Sequence, residues 1–268
     1  SNDNTVRVWD VRTGQVQNVL HGHSLTVNAI AWNPDGVRLA SLGARILVWD
    51  WPRGQIVATF QGYSDEVLSV AFRSDGALFA SSHVDNLIRI WDALRGQVRH
   101  LLYGHTSWIR DILFSPDGNM LISVSFDQTI RLWDTQQGRL LQTLPAHEQW
   151  ISCLALSADG ARMATGSMDQ TIWLWDLPGG RVKHTLRQSQ SAVYGLAFSP
   201  NGSMLASGNA AAVIQLWDTH TGQPLATLRG HTKILHSLLF DRNGATLVSA
   251  SADETIRFWD TRTGELLR

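Results

Sequence analysis

Apolar residues in this chain fall in runs of strand length, separated by short polar turns, and helix-type periodicity is nearly absent. One stretch shows the scheme. Ile109 to Phe114 is apolar, Ser115-Pro116-Asp117-Gly118 is a turn, and Met120 to Ser125 is a second run broken by Asp127-Gln128. Thr129 to Trp133 forms a third run, and a polar turn through Gly138 leads to a fourth at Leu140 to Leu144. Gly, Pro, Asn and Asp bound these runs because they supply the backbone geometries that turns require. The first turn recurs as Asn33-Pro34-Asp35-Gly36, Ser157-Ala158-Asp159-Gly160, Ser199-Pro200-Asn201-Gly202 and Asp241-Arg242-Asn243-Gly244. Ser237-Leu238-Leu239-Phe240 lacks polar alternation, the pattern of a strand covered on both faces. The pattern predicts an all-β protein.

The unit repeats. Trp-Asp occurs at residues 9, 49, 91, 133, 175, 217 and 259, at intervals of 40 and then five times 42 residues. A fixed period of this size marks an architecture whose units bury their apolar faces against their neighbours. Four short strands per unit, covered on both sides, make a propeller blade. The repeat also accounts for most of the 12 tryptophans.

Gly104-His105, then a strand and turn, then Ser123 and Asp127, then Trp133-Asp134 resembles the signature of the WD-repeat β-propeller family. The resemblance runs along essentially the whole chain. It implies a single WD-repeat propeller domain over residues 1–268, with six complete four-stranded blades plus two outer strands of a seventh. Thr5 to Trp9 matches the third strand of a blade and Gly264 to Arg268 matches a fourth. The expectation is therefore a segment of a longer chain, with the inner strands of the first blade upstream of Ser1. The regular period is similar to bacterial tandem WD-repeat arrays, which implies nucleotide-switch or kinase domains in the same parent chain.

Three units carry a full His, Ser/Thr, Asp, Trp set: His105, Ser123, Asp127, Trp133; His147, Thr165, Asp169, Trp175; and His231, Ser249, Asp253, Trp259. The composition is that of a Ser-His-Asp triad, which is recognised by geometry and role. The resemblance implies instead a structural relay, in which indole, hydroxyl, imidazole and carboxylate satisfy one another. A hydroxyl engaged by tryptophan is a poor nucleophile, threonine replaces serine once, and the sets are spread over the repeats. No catalytic residue is assigned, and the expectation is a non-enzyme. Other units depart from the set. His23, Ser41 and Trp49 lack the carboxylate because a turn is two residues short before Arg45. Tyr63 stands in for histidine above Ser81, Asp85 and Trp91. Gln188-Ser189 and Ala211 replace Gly-His and aspartate beside Ser207 and Trp217, which marks that blade as the least stable.

Charge narrows the function classes. Lys and Arg total 22 against 23 Asp and Glu, so the basic excess of a nucleic-acid binder is missing. Runs such as Ile151 to Leu156 are far short of the ~20 apolar residues of a membrane span, and no charged-then-apolar leader opens the chain. Cys153 is the single cysteine, which excludes an intrachain disulfide and Cys-rich zinc sites and fits a cytoplasmic setting. His23 of His21-Gly22-His23 fills the relay slot and no acidic cluster accompanies the pair, so neither metal nor cofactor is expected. Arg7, Arg89, Arg131 and Arg257 share one repeat position and read as structural. Trp32 falls in the slot of Phe72, Phe114, Phe198 and Phe240 and reads as core.

Function is expected on the loops, since rigid scaffolds vary there. In the resembled family, partners dock on the face bearing the Gly-His loops and Asp turns. Three positions per blade point to that face: the third and fifth residues after the histidine, and the residue before the turn aspartate. The third-after slot includes Thr26, Glu66, Trp108, Trp150, Ala192 and Ile234, and the pre-aspartate slot includes Asn2, Val84, Phe126, Met168, Ala210 and Ala252. Trp108, Arg110, Phe126, Trp150, Met168 and Tyr194 come from three successive blades and are expected to form one neighbourhood. Aromatic and arginine side chains are enriched at interface hot spots, so the expected function is a protein-protein interaction scaffold or sensor in signalling. The alternative is a small ligand or modified peptide held at the channel mouth, with Arg110 suiting phosphate or carboxylate.

Overall fold

A computed structural model describes residues 3–10, 13–60, 67–177, 179–187 and 191–268. Every regular element in them is a strand, and among them no helix is long and apolar enough to cross a membrane. The strands come in antiparallel meanders. β1 (Thr5–Trp9) pairs with β2 (Val16–His21) as a two-stranded sheet. Next is a four-stranded sheet of β3 (Ala29–Trp32), β4 (Arg38–Leu42), β5 (Ile46–Asp50) and β6 (Gln55–Phe60). The third sheet is β7 (Val67–Phe72), β8 (Leu78–His83), β9 (Ile88–Asp92) and β10 (Val98–Leu102). The fourth is β11 (Ile109–Phe114), β12 (Met120–Ser125), β13 (Thr129–Asp134) and β14 (Arg139–Pro145). β15 (Ile151–Leu156), β16 (Arg162–Ser167), β17 (Thr171–Asp176) and β18 (Arg181–Arg187) form the fifth. The sixth is β19 (Val193–Phe198), β20 (Met204–Asn209), β21 (Val213–Asp218) and β22 (Pro224–Arg229).

The last sheet contains β23 (Leu235–Phe240), β24 (Thr246–Ser251) and β25 (Ile256–Asp260). Its fourth member is an irregular segment. Leu266 bridges Trp259, the Leu267 N–H donates to the Phe258 carbonyl at 2.7 Å, and the Phe258 N–H donates to the Arg268 carbonyl at 2.9 Å. The expected blades are thus present, with the sixth closed by backbone pairing too short to count as a regular strand.

The blades divide into two compact units, residues 1–123 with 131–143, and residues 124–130 with 144–268. In the first unit the leading strands β3, β7 and β11 lie side by side. Core layers form between consecutive sheets: Val6, Leu20, Leu39, Leu47 and Trp49 make one, and Phe60 packs edge-on against Phe79 and Trp91 at 5.0 and 5.7 Å in the next. In the second unit β15, β19 and β23 are the adjacent leading strands. Ile172, Leu174, Leu186, Val193 and Trp217 fill one layer there, and Ile214, Leu216, Leu228, Leu247 and Trp259 the next. Each layer takes side chains from two sheets, so no blade buries its faces alone.

Local chemistry explains the repeated punctuation. Outside the β15–β18 blade, the aspartate of the Trp-Asp pair closes the turn after its strand. Asp134 Oδ1 accepts the Gln136 and Gln137 N–H groups at 2.9 Å, and Asp218 does the same for His220 and Thr221 at 2.8 Å. These bonds hold both carboxylates below the ordinary range, backbone donors being the leading cause. The register slips by one residue at Trp9, Trp49, Trp175 and Trp217, a β-bulge, and the last three indoles are buried.

Two sequence expectations need correction. Trp32 is not core: it is 44% exposed and meets Trp51 edge-on at 5.7 Å, while the Trp51 indole N–H donates to the Gly36 carbonyl at 3.0 Å. Ile30 on the same side of β3 is also exposed. Leu239, expected to be covered on both faces, is 67% exposed. Within its unit β23 has β19 as its leading-strand neighbour on one side only. Hydrophobic pattern reports what a strand can bury, and the neighbour decides what it does bury.

Candidate functional site

Two blades carry the whole set of contacts from indole to carboxylate. In the β15–β18 blade the Trp175 indole N–H donates to Thr165 Oγ1 at 3.0 Å. That hydroxyl lies 2.9 Å from His147 Nε2, and His147 Nδ1 is 2.9 Å from Asp169 Oδ2. Burial lowers the His147 pKa and outweighs the opposing pull of Asp169, so the ring is neutral at pH 7. The proton then sits on Nδ1 facing Asp169, and Thr165 donates to Nε2. Burial acts to raise the Asp169 pKa, but the Thr171 hydroxyl, His147 and the N–H groups of Thr171 and Glu148 together lower it.

The last blade repeats this geometry. Trp259 donates to Ser249 at 2.8 Å, Ser249 meets His231 Nε2 at 2.7 Å, and His231 Nδ1 meets Asp253 at 2.8 Å. In the first unit His105 Nε2 lies 2.7 Å from Ser123, which accepts the Trp133 N–H at 2.9 Å. Asp127, in the second unit, accepts the Thr129 N–H and hydroxyl at 3.0 and 2.7 Å. Proton direction in the relay matches that of a catalytic triad, so direction does not separate the two. Access does: Ser123, Thr165 and Ser249 have no exposed surface, and their oxygens already accept an indole N–H. A substrate carbonyl has no approach to them.

The His147 shift sets a pH dependence. A histidine whose folded pKa lies below its unfolded value of about 6.5 binds more protons when unfolded. Stability is then intact above that value and falls as pH drops through it, down to the folded pKa. Melting temperature is expected to drop more between pH 7.5 and 5.5 in the wild type than in His147→Gln; equal drops would contradict the assignment. His23, also lowered by burial, contributes in the same direction.

The irregular units keep the hydroxyl and change its surroundings. His23 and the Trp49 indole both bond Ser41 at 2.6 Å, as the expected set without carboxylate requires. The shortened turn places Gly43 where a Cβ would come within 2.7 Å of His23 Nδ1, so backbone takes the space of the carboxylate. Tyr63, Glu66, Asn2 and Gln188-Ser189 lie outside the described residues. In the β7–β10 blade the chain has a device that sequence reading missed. His83, on the same strand as Ser81, offers Nε2 to that hydroxyl at 2.8 Å, while Trp91 donates to it at 2.8 Å. Residues two apart on a strand share a face, so a histidine two places after the relay serine was the available signal.

The repeated arginine position is structural. A Cβ on Gly104 would collide with the Arg131 guanidinium and one on Gly230 with that of Arg257, which explains glycine before the relay histidine. Ala146 replaces that glycine in the β15–β18 blade, and Trp173 replaces the arginine, lying 4.7 Å from the His147 ring and 5.5 Å from Trp175. Arg89 is buried and pairs with Asp85 at 2.6 Å. Cys153 is buried as expected. No group of three His, Cys, Asp or Glu side chains among the described residues is placed to hold a metal.

The candidate recognition residues divide between the units. In the second unit Phe126 and Trp150 stack with ring centroids 4.5 Å apart and planes 8° from parallel, and Trp150 remains 50% exposed. The Met168 N–H donates to the Trp150 carbonyl at 3.0 Å, and both side chains line a cavity of about 340 Å³ with Gln128 and Gln149. Tyr194 is half-buried on β19 and is not part of that lining. In the first unit Trp108 is 50% exposed and Arg110 is exposed. The structure thus brings Phe126, Trp150 and Met168 together.

Comparison with known proteins agrees with this architecture. The family described as WD domain, G-beta repeat matches residues 14–50, 54–92, 96–134, 138–176, 180–218 and 222–260. Coronin-7 of Mus musculus is 45% identical over 42 residues, which is 16% of this chain and 5% of that protein. The chain therefore covers a small part of that relative's length. With its match in six consecutive repeats, its all-β blades and its Trp-hydroxyl-His relays, the chain belongs to the WD domain, G-beta repeat family of β-propellers.

Proposed function

We propose that this domain is a non-enzymatic interaction scaffold or sensor that holds a protein or peptide partner on the face bearing its Gly-His loops and Asp turns. Family membership supports the general role, since WD40 propellers are generally scaffolds that bind protein partners. The stacked, half-exposed Phe126–Trp150 pair beside Met168 carries the finer reading. Aromatic surface held rigid by stacking binds at low entropic cost and is typical of hot spots. Tyr194 is a further candidate in the second unit, and Trp108 and Arg110 are separate exposed candidates in the first. A reducing, cytoplasmic setting suits the single free thiol of Cys153.

The test is affinity capture from host lysate with wild type and Trp150→Ala, read by mass spectrometry. The variant is expected to lose a partner by at least about 10-fold while losing about 1 kcal/mol of stability from the broken stack. Trp108→Ala, run in parallel, reports on the first unit. An unchanged captured set, or collapse of the fold, would count against the reading. The cavity beside Trp150 favours one alternative, a small ligand or short modified peptide, because its size is within the range of ligand sites. That reading takes precedence if neither form captures a protein.

A further inference from the structure

The β19–β22 blade departs from the repeat at the positions that fill its surface elsewhere. The arginine position holds Gln215, and the turn aspartate is replaced by Ala211. Gln215 folds back on its own sheet: its amide donates to the Ala226 carbonyl at 2.8 Å and its oxygen accepts the Thr227 hydroxyl at 2.7 Å. It does not reach forward as Arg131 and Arg257 do beneath Gly104 and Gly230. The space left is a cavity of about 430 Å³ between the ends of two outer strands. Arg187, the last residue of β18, and Arg229, the last residue of β22, both line it, with Gln215, Thr227 and the Trp217 indole.

Its charge is unbalanced. No lining residue is acidic, and neither arginine makes an ion pair among the described residues. The same slot holds Tyr103 and Pro145 in the two preceding blades, so paired arginines at successive strand ends belong to this place. Guanidinium stays charged at any physiological pH and binds carboxylate or phosphate in a forked geometry. Two of them facing one cavity without a counter-charge favour an anion with more than one oxyanion group. We propose that this cavity binds a small multivalent oxyanion, held by Arg187 and Arg229. The site is independent of the Trp150 face and of the partner proposed there.

The chemistry is shared by polyphosphates and by di- or tricarboxylates, and calorimetric titration separates them. The purified chain is titrated with pyrophosphate and, separately, with citrate, each against chloride at matched ionic strength. One-site binding of either anion, beyond the chloride control, is expected and names the source. Arg187→Gln and Arg229→Gln should each weaken it at least about 10-fold. Ala211→Asp, which returns a carboxylate to the cavity at an exposed position and keeps both arginines, should weaken it as strongly. Melting temperatures of the three variants check that each is folded. Absence of binding by both anions, or affinity unchanged in both arginine variants, overturns the proposal.

Discussion

Replacing Ser249 by alanine is expected to lower the unfolding free energy by about 3 kcal/mol, although one oxygen is all that is removed. That oxygen accepts the Trp259 N–H at 2.8 Å and lies 2.7 Å from His231 Nε2. Trp259 and His231 are both buried, so water cannot replace the lost partner of either. An unsatisfied buried polar group costs about 1–3 kcal/mol, more than the net worth of the bond it made. Two are orphaned at once. Ser249→Thr keeps the hydroxyl in the arrangement that Thr165 already adopts and should recover most of the loss. In a double-mutant cycle, Trp259→Phe removes the orphaned donor, so its cost added to Ser249→Ala should be clearly less than additive. Urea denaturation followed by tryptophan fluorescence measures these differences. A loss below about 0.5 kcal/mol for Ser249→Ala would mean that the relay is not a structural element.

The relay and the blades were legible in the sequence because both rest on contacts that recur at fixed spacing. Trp259 and Ser249 are ten residues apart on adjacent strands, as are Trp133 and Ser123, and Trp175 and Thr165. Asp134 and Asp218 act within three residues of themselves, so their turns also show in the local pattern. Exposure was not legible, because it depends on which face receives a neighbour. Trp32 and Leu239 fit core slots and yet are 44% and 67% exposed. The recognition residues came from slot equivalence, and of these Phe126 and Trp150 stack on each other. The same equivalence expected Tyr194 in that neighbourhood, and it is half-buried on β19, outside the cavity lining. His83 was missed because it reaches the relay hydroxyl from a different position of the repeat.

Close packing between blades gives the second large effect: Gly166→Val is expected to destabilise the protein by about 2–3 kcal/mol. Valine suits a β-strand, and Val124 occupies the corresponding place on β12, so propensity alone predicts a gain. Geometry reverses the sign. A Cβ on Gly166 would come within 2.7 Å of both Cys153 Sγ and Val193 Cγ1. Cys153 is on β15 of the same sheet and Val193 is on β19 of the next, and both are buried. Ser152 adds a restraint, since its hydroxyl donates to the Gly166 and Val193 carbonyls and ties the two sheets together at this level. The strands cannot separate to admit a side chain without breaking that link, so the new methyl groups force off-rotamer packing. Val193→Ala removes one of the two collisions. Combined with Gly166→Val it should cost at least about 1 kcal/mol less than the sum of the single changes. Strict additivity would show that the sheets part freely at this point, and that glycine is there for some reason other than the close approach of β16 to β19.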